Sequence, residues 1–431
     1  MTTASQAGPG VYAVAMTRLR PRVRRAAGWV ALLPLTLVCT AALAGAVAVP
    51  AAAEPGGCEV KPGADAPGVV PWAQERLGFD RVHRFATGAG VTVAVIDSGL
   101  TQVQPQAALI RTRTPLNVMG GPYAADDTYD CEDYGHGTRV AAIIGAPAMT
   151  GEGFMGLAPE ATIMPIKYRD SDTSDIGGDS AAVARGIIAA VEGGADVINL
   201  SLQAPDTPEL RTAMERAAAA DVVVVASSGN LSGSDLPEAY PGKYAEEEGF
   251  GNVITVGATD QDDQLTAFSV SGTQVGIVAP GAQILGPTQI QGYYAEDGTS
   301  FSTPFVAATA ALVRQTHPRL SAARVVNRLK ATADPPGVSV PDAGYGYGIV
   351  DPYLAVTAER DDRRITAPQQ PLPAAPAPDL PPPPDHTLRD AGMVAAAALL
   401  GLALVVLVAT IAVRHVRERG APRARSAPLA D

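Results

Sequence analysis

Three short segments hold the residue types that nucleophilic acyl transfer requires. They are Val95-Ile96-Asp97-Ser98-Gly99, Gly135-His136-Gly137-Thr138 and Gly298-Thr299-Ser300-Phe301-Ser302-Thr303-Pro304. In chain order they supply a carboxylate, an imidazole and a hydroxyl. A serine hydroxyl is a weak nucleophile at neutral pH. It needs a base within hydrogen-bond reach, and the base needs a partner that holds its tautomer. An imidazole titrates near neutrality, so His136 is the candidate base, Asp97 its partner and Ser300 the candidate nucleophile. Ser302 competes for the last role. The Gly298-Thr299 approach favours Ser300, and Ser302 is expected at a helix-cap position. Singly, each segment reads equally well as an ordinary turn. Their order, and the place of each at an element end, carry the reading.

The elements that must position these groups are legible around them. Val91 to Ile96 is an apolar run that predicts a buried parallel strand, with Asp97 at its carboxyl end. That rim of an open α/β sheet is where ligands bind. His136 precedes Val140, Ala141, Ala142, Ile143 and Ile144, a buried-helix pattern. A helix is expected over Thr303 to Gln315, with Pro304 in its first turn and Val306, Ala310 and Val313 on its apolar face. Its positive end would favour developing negative charge. The strand pattern Asp221 to Ala226 ends in Ser227-Ser228-Gly229-Asn230. The Asn230 amide is therefore a candidate oxyanion donor beside the Ser300 N–H. Helices at Asp179 to Glu192, Pro208 to Ala220 and Ser321 to Ala333 alternate with strands at Asp196 to Leu202 and Asn252 to Ala258. This alternation predicts an α/β fold with a mostly parallel central sheet and helices on both faces.

Other polar clusters read as structural. His83 and His317 are expected on solvated helical surface, His386 lies in a proline tract and His415 in the tail. The acidic run Asp126, Asp127, Asp130, Glu132 and Asp133 offers oxygen ligands for Ca²⁺. A solvated loop is the favoured reading, so no metal and no cofactor are assigned.

The 431 residues include 44 acidic and 32 basic groups. Five arginines lie in residues 1–53 and five in residues 414–431, leaving 22 basic and 42 acidic groups between. That excess disfavours nucleic acid as a partner. Only four of the basic residues are lysine, and Ala, Gly and Pro abound, a bias typical of a high-GC genome. Arg18 to Arg25 form a basic stretch, Ala26 to Val49 an apolar one, and Ala51-Ala52-Ala53 a cleavage signal, so residues 1–53 read as a signal peptide. An N-terminal extension, 54–70, follows. It is too short for an independent folding domain. A globular domain is expected over 71–360 and a Pro-rich linker over 361–390, with nine prolines between Ala367 and His386. Residues 391–413 carry no charge, enough for one transmembrane helix of about 35 Å. The arginine-rich tail, 414–431, then faces the cytoplasm, and the globular domain lies outside it on the cell membrane. In that oxidising space Cys58 and Cys131, the two cysteines beyond the signal region, are expected to bridge.

The four chemistry-bearing segments resemble the subtilisin-like serine proteases, or subtilases, over about Pro71 to Val356. Pro71-Trp72-Ala73-Gln74, Leu77-Gly78-Phe79-Asp80-Arg81-Val82 and Gly88-Ala89-Gly90-Val91, together with Gly298-Thr299-Ser300-Phe301-Ser302-Thr303-Pro304 and the C-terminal anchor, narrow the likeness to the mycosins, membrane-anchored subtilases of type VII secretion systems. The resemblance implies a subtilisin-like three-layer fold and a triad at Asp97, His136 and Ser300 with Asn230 as oxyanion donor. Its substrate-binding strand would fall on Ile198 to Leu202, with Ser201, Leu202 and Gln203 lining it, where a peptide adds as an extra strand. Gln203 stands where subtilisins often have glycine. The implied function is endoproteolysis of exported proteins. The rival is a scaffold that stabilises the secretion membrane complex, with proteolysis secondary.

Overall fold

The computed structural model describes residues 58, 60–66, 68–120, 126–170, 179–231, 239–272, 274–360, 401 and 406–414. The signal segment, the Pro-rich linker and nearly all of the tail lie outside these residues. So does much of the expected transmembrane helix.

The strands are β1 (Thr92–Asp97), β2 (Leu116–Asn117), β3 (Thr162–Lys167), β4 (Val197–Leu200), β5 (Val223–Ser227), β6 (Val253–Thr259), β7 (Ile277–Pro280), β8 (Ile284–Pro287) and β9 (Tyr293–Glu296). The helices are α1 (Trp72–Arg76), α2 (Phe79–Val82), α3 (His136–Gly145), α4 (Ser180–Glu192), α5 (Pro208–Ala219), α6 (Thr299–Thr316), α7 (Ala322–Ala331) and α8 (Pro352–Thr357). The first seven strands form one sheet in the order β2-β3-β1-β4-β5-β6-β7, every pair parallel. A parallel sheet needs cover on both faces. Val93 and Val95 of β1 point into a core shared with α3 and α6. Ala94 and Ile96 point into the opposite core, built with α4 and α5. The expected three-layer α/β architecture is thus present.

The elements start where side chains can satisfy orphan backbone groups. Asp179 accepts from the N–H groups of Ala181 and Ala182 at the head of α4, and Thr207 from Leu210 at the head of α5. The chain runs from β1 leftward to β3, then returns past β1 to β4. The connection reverses beside β1, so the crevice of this sheet opens at the carboxyl end of that strand.

Two expectations need correction here. Helix α6 begins at Thr299, four residues earlier than its apolar pattern suggested. Pro304 therefore lies inside the helix, not in its first turn, and Ser302 is a buried helical residue instead of a cap. The substrate strand is also shorter than expected. Ile198, Asn199 and Leu200 pair with β5 while Ala94 and Val95 of β1 hold the other side of Ile198 and Asn199. A strand paired on both edges accepts no further peptide, so only Ser201 to Gln203, beyond the sheet, remain for that role.

The N-terminal extension packs on the domain. Ala64 forms an isolated antiparallel bridge with Tyr293 of the antiparallel β8–β9 hairpin. Cys58 and Cys131 form a disulfide across 73 residues of sequence. Beside it a column of alternating cations and rings is built. Tyr134 and Tyr294 stack 3.7 Å apart, Lys61 lies 5.7 Å from the centre of the first and the Arg139 guanidinium 5.3 Å from the centre of the second. Lys61 also pairs with Asp133, and Arg139 with Glu296. Closing a loop of this length contributes about 4 kcal/mol in the chain-entropy model. Replacing both Cys58 and Cys131 by serine is expected to lower the melting temperature by roughly 10 °C. An unchanged melting curve would show that the cross-link constrains nothing in the unfolded chain.

Candidate active site

Asp97 ends β1 fully buried, and its Oδ1 lies 2.7 Å from Nδ1 of His136. The same oxygen accepts from the Ser98 N–H at 2.8 Å and the Ser98 hydroxyl at 3.2 Å. The Ser98 hydroxyl in turn accepts from the Gly137 N–H at 2.9 Å. The start of α3 is thereby stitched to the end of β1. Gly137 is required for this approach, because a Cβ there would lie 2.3 Å from the Gly99 carbonyl oxygen. Asp130 anchors the same turn from behind, accepting from the Thr138 N–H at 2.8 Å and its hydroxyl at 2.7 Å.

Ser300 is partly exposed between buried Thr299 and Phe301, whereas Ser302 is fully buried. Accessibility therefore separates the two serines in the direction expected. The His136 ring packs 5.1 Å from the ring of Phe301, the residue after Ser300. Asn230 follows β5 and its backbone bridges to Ser269. Its Oδ1 accepts from both the N–H and the hydroxyl of Thr299 at 3.0 Å, which turns the Nδ2 donors the other way. A Cβ placed on Gly298 would meet the Ser300 Oγ at 3.0 Å and the Asn230 Nδ2 at 3.6 Å. The hydroxyl and the amide donor thus border one small space, kept open by the absence of a side chain at 298.

Of the remaining expected residues, Ser201 directs its hydroxyl to the Ser300 carbonyl oxygen at 2.7 Å. Leu202 is buried, and its carbonyl accepts from the Ser227 hydroxyl at 3.1 Å. The Gln203 amide lies against Gly229, beside the turn that presents Asn230. The acidic run is not a uniformly solvated loop. Asp130 and Glu132 are buried, and Glu132 pairs with Arg169. Among the described residues, no group of three or more acidic, His or Cys side chains could hold a metal ion. His83 is half-buried with Nε2 2.9 Å from the Leu157 carbonyl oxygen, and half-buried His317 contacts the Thr316 hydroxyl at 2.8 Å. Neither is freely solvated. His386 and His415 lie outside the described residues.

The charges around His136 set its proton affinity. Burial opposes the imidazolium, but the carboxylates of Asp97 and Glu132 outweigh it and hold the pKa above its ordinary 6.5. Burial likewise opposes the Asp97 carboxylate, and the neighbouring His136 outweighs it, keeping that group acidic. Glu132 is pushed up to about 7 by burial, against the attraction of His136 and Arg169. The sequence pattern gave Glu132 no such role.

The fold and this cluster define a subtilisin-like serine endopeptidase. The chain belongs to the Subtilase family, whose profile matches residues 88–348. Within that family it groups with the mycosins. It is 32% identical over 399 residues to Mycosin-1 of Mycolicibacterium smegmatis, covering 81% of this chain and 85% of that one. The crystal structure of MycP1 from the ESX-1 type VII secretion system superposes with a TM-score of 0.62 at 30% identity, covering 72% of this chain and 92% of that one. A chain of the intact ESX-5 inner membrane complex superposes with a TM-score of 0.59 at 30% identity, covering 82% and 93% respectively.

Only neutral imidazole accepts a proton, so reaction at Ser300 should fall as pH drops through the raised His136 value. The second-order rate of fluorophosphonate labelling is expected to show an acid-side inflection above 6.5. Glu132→Gln removes one of the two stabilising carboxylates and should move that inflection to lower pH. An unmoved inflection would mean that Glu132 does not act on His136.

Proposed function

We propose that this chain is a membrane-anchored serine endopeptidase acting on proteins exported by a type VII secretion system, with Asp97, His136 and Ser300 as its triad. The observation that carries the reading is the 2.7 Å Asp97–His136 contact, with the His136 ring packed on Phe301, the residue after the accessible Ser300. In this mechanism Ser300 Oγ attacks the scissile carbonyl carbon while its proton passes to Nε2 of His136. Asp97 holds Nδ1–H and stabilises the imidazolium that forms. The carbonyl oxygen, now carrying the negative charge, takes hydrogen bonds from Asn230 Nδ2 and the Ser300 N–H. His136 returns the proton to the leaving amine, and the acyl group stays on Ser300. A water deprotonated by His136 then releases it. Ser201, Leu202 and Gln203 would align the substrate backbone beyond the end of β4.

Membrane attachment is supported by composition and by exposure. The uncharged stretch 391–413 precedes five arginines. Its described residues, 401 and 406–413, are helical, and Val406, Leu407, Val408, Ile411 and Val413 are all exposed. Among the described residues no helix is long and apolar enough to cross a membrane. The signal segment and this anchor together would place the peptidase domain outside the cytoplasm. The likeness to a chain of an ESX-5 inner membrane complex favours a second reading, in which the anchored domain stabilises the secretion complex and proteolysis is secondary.

Fluorophosphonate labelling of the purified full chain tests the chemistry. It is expected for the wild type, lost in Ser300→Ala and kept in Ser302→Ala. A folded wild-type protein that takes no label would overturn the triad. Introducing Ser300→Ala in cells separates the two roles. Continued export of unprocessed substrate supports proteolysis of cargo by a chain that is also a scaffold. Loss of export with the variant present at normal level would make catalysis itself the requirement.

A further inference from the structure

The first turn of α6 contains a conflict that the helix cannot resolve by itself. In an α-helix the Ser300 carbonyl should accept from the N–H four residues on. That residue is Pro304, which has no N–H and lies inside the helix. A part-buried carbonyl left without a donor is unfavourable, so another group has to supply one. The Ser201 hydroxyl does, at 2.7 Å. A hydroxyl both donates and accepts, so its direction must also be set. Asn199 Nδ2 lies 3.0 Å from Ser201 Oγ and donates to it, which leaves the Ser201 proton for the Ser300 carbonyl. Asn199 is fully buried in β4, its backbone in register with Val95 on one side and Val225 on the other. It cannot move without the sheet.

We infer that Ser201 and Asn199 are positioning residues for the nucleophile, supplying from β4 the hydrogen bond that Pro304 withholds from the Ser300 carbonyl. The inference rests on the serine-protease reading of Ser300. The peptide after the Ser300 Cα, and the Gly298–Thr299 peptide one residue before it, are then both held by neighbours outside the helix. Asn230 Oδ1 holds the Gly298–Thr299 peptide through the Thr299 N–H, and the Thr299 hydroxyl with it, and Ser201 holds the peptide after Ser300. With both peptides fixed, the Ser300 side chain and its N–H keep one direction relative to His136 and Asn230. Ser201 also opens the segment expected to align substrate.

The test uses the purified full chain and a fluorophosphonate probe over a range of concentrations, giving a maximal labelling rate and a half-saturating concentration. Ser201→Ala is expected to lower the maximal rate about five- to tenfold, the worth of one hydrogen bond. The half-saturating concentration should change by less than about twofold, since probe binding is not what the bond controls. The double variant Ser201→Ala/Pro304→Ala has an N–H at position 304 and can close the helical bond to Ser300. It should recover most of the lost rate. A merely structural hydroxyl would give no such recovery. Ser201→Ala labelling at the wild-type rate overturns the inference, as does a double variant that folds cooperatively yet stays as slow as Ser201→Ala. In either case, labelling of the wild type that is lost in Ser300→Ala leaves the serine-protease reading intact. A folded wild type that takes no label overturns both.

Discussion

A carboxylate that ends a central parallel strand is removed from water and has to be compensated on the spot. Asp97 is in that position, and the surrounding structure follows from how it is compensated. Its Oδ1 takes the His136 imidazole and both donors of Ser98, and Ser98 then fastens the backbone of Gly137. The start of the helix that carries His136 is therefore tied to the end of β1. Asp130 and Thr138 lock the turn from the far side, and Glu132 adds a second carboxylate close to the imidazole. Burial makes these interactions strong, and it would make the loss of any partner severe.

The parts of this arrangement that obey periodic patterns are readable in the chain. β1 and β5 are unbroken apolar runs, and α4 and α5 have side-chain caps at their heads, so their bounds fall within a residue or two of expectation. Asp97, His136 and Asn230 sit where such runs stop, which made them visible as candidates. What was not readable depends on contacts between distant segments. Nothing near Thr299 announces that Asn230 will accept its N–H, so the early start of α6 escaped the apolar pattern. Glu132 looked like one acid among five, because its burial is decided by packing against His136 and Arg169. Asn199 did carry a signal. A lone amide inside Val197-Ile198-Asn199-Leu200 interrupts an apolar strand, and a fully buried polar side chain there demands a partner.

Two serines of α6 show how context separates groups of equal chemistry. Ser300 and Ser302 carry the same hydroxyl on the same helix. The one is partly exposed and borders the Asn230 amide. The other is fully buried, and its oxygen would lie 2.3 Å from any Cβ on Gly281. Exposure and neighbours, not residue type, separate them. The same holds for the hydroxyl of Ser201, which lies near the same centre but is engaged with a backbone carbonyl.

The pairing of Ala64 with Tyr293 has a consequence for the order of events during biosynthesis. A ribosome delivers the extension first and the hairpin edge that receives it more than two hundred residues later. Contacts of such separation form late, because a long loop must close before they repay its entropy. The leading segment must therefore wait, held at most through Cys58, while the sheet is laid down strand by strand. The hairpin edge is complete before α6, α7 and α8 are made, so the clasp becomes available ahead of these three helices. An early segment of the domain is in this sense a late partner in its assembly.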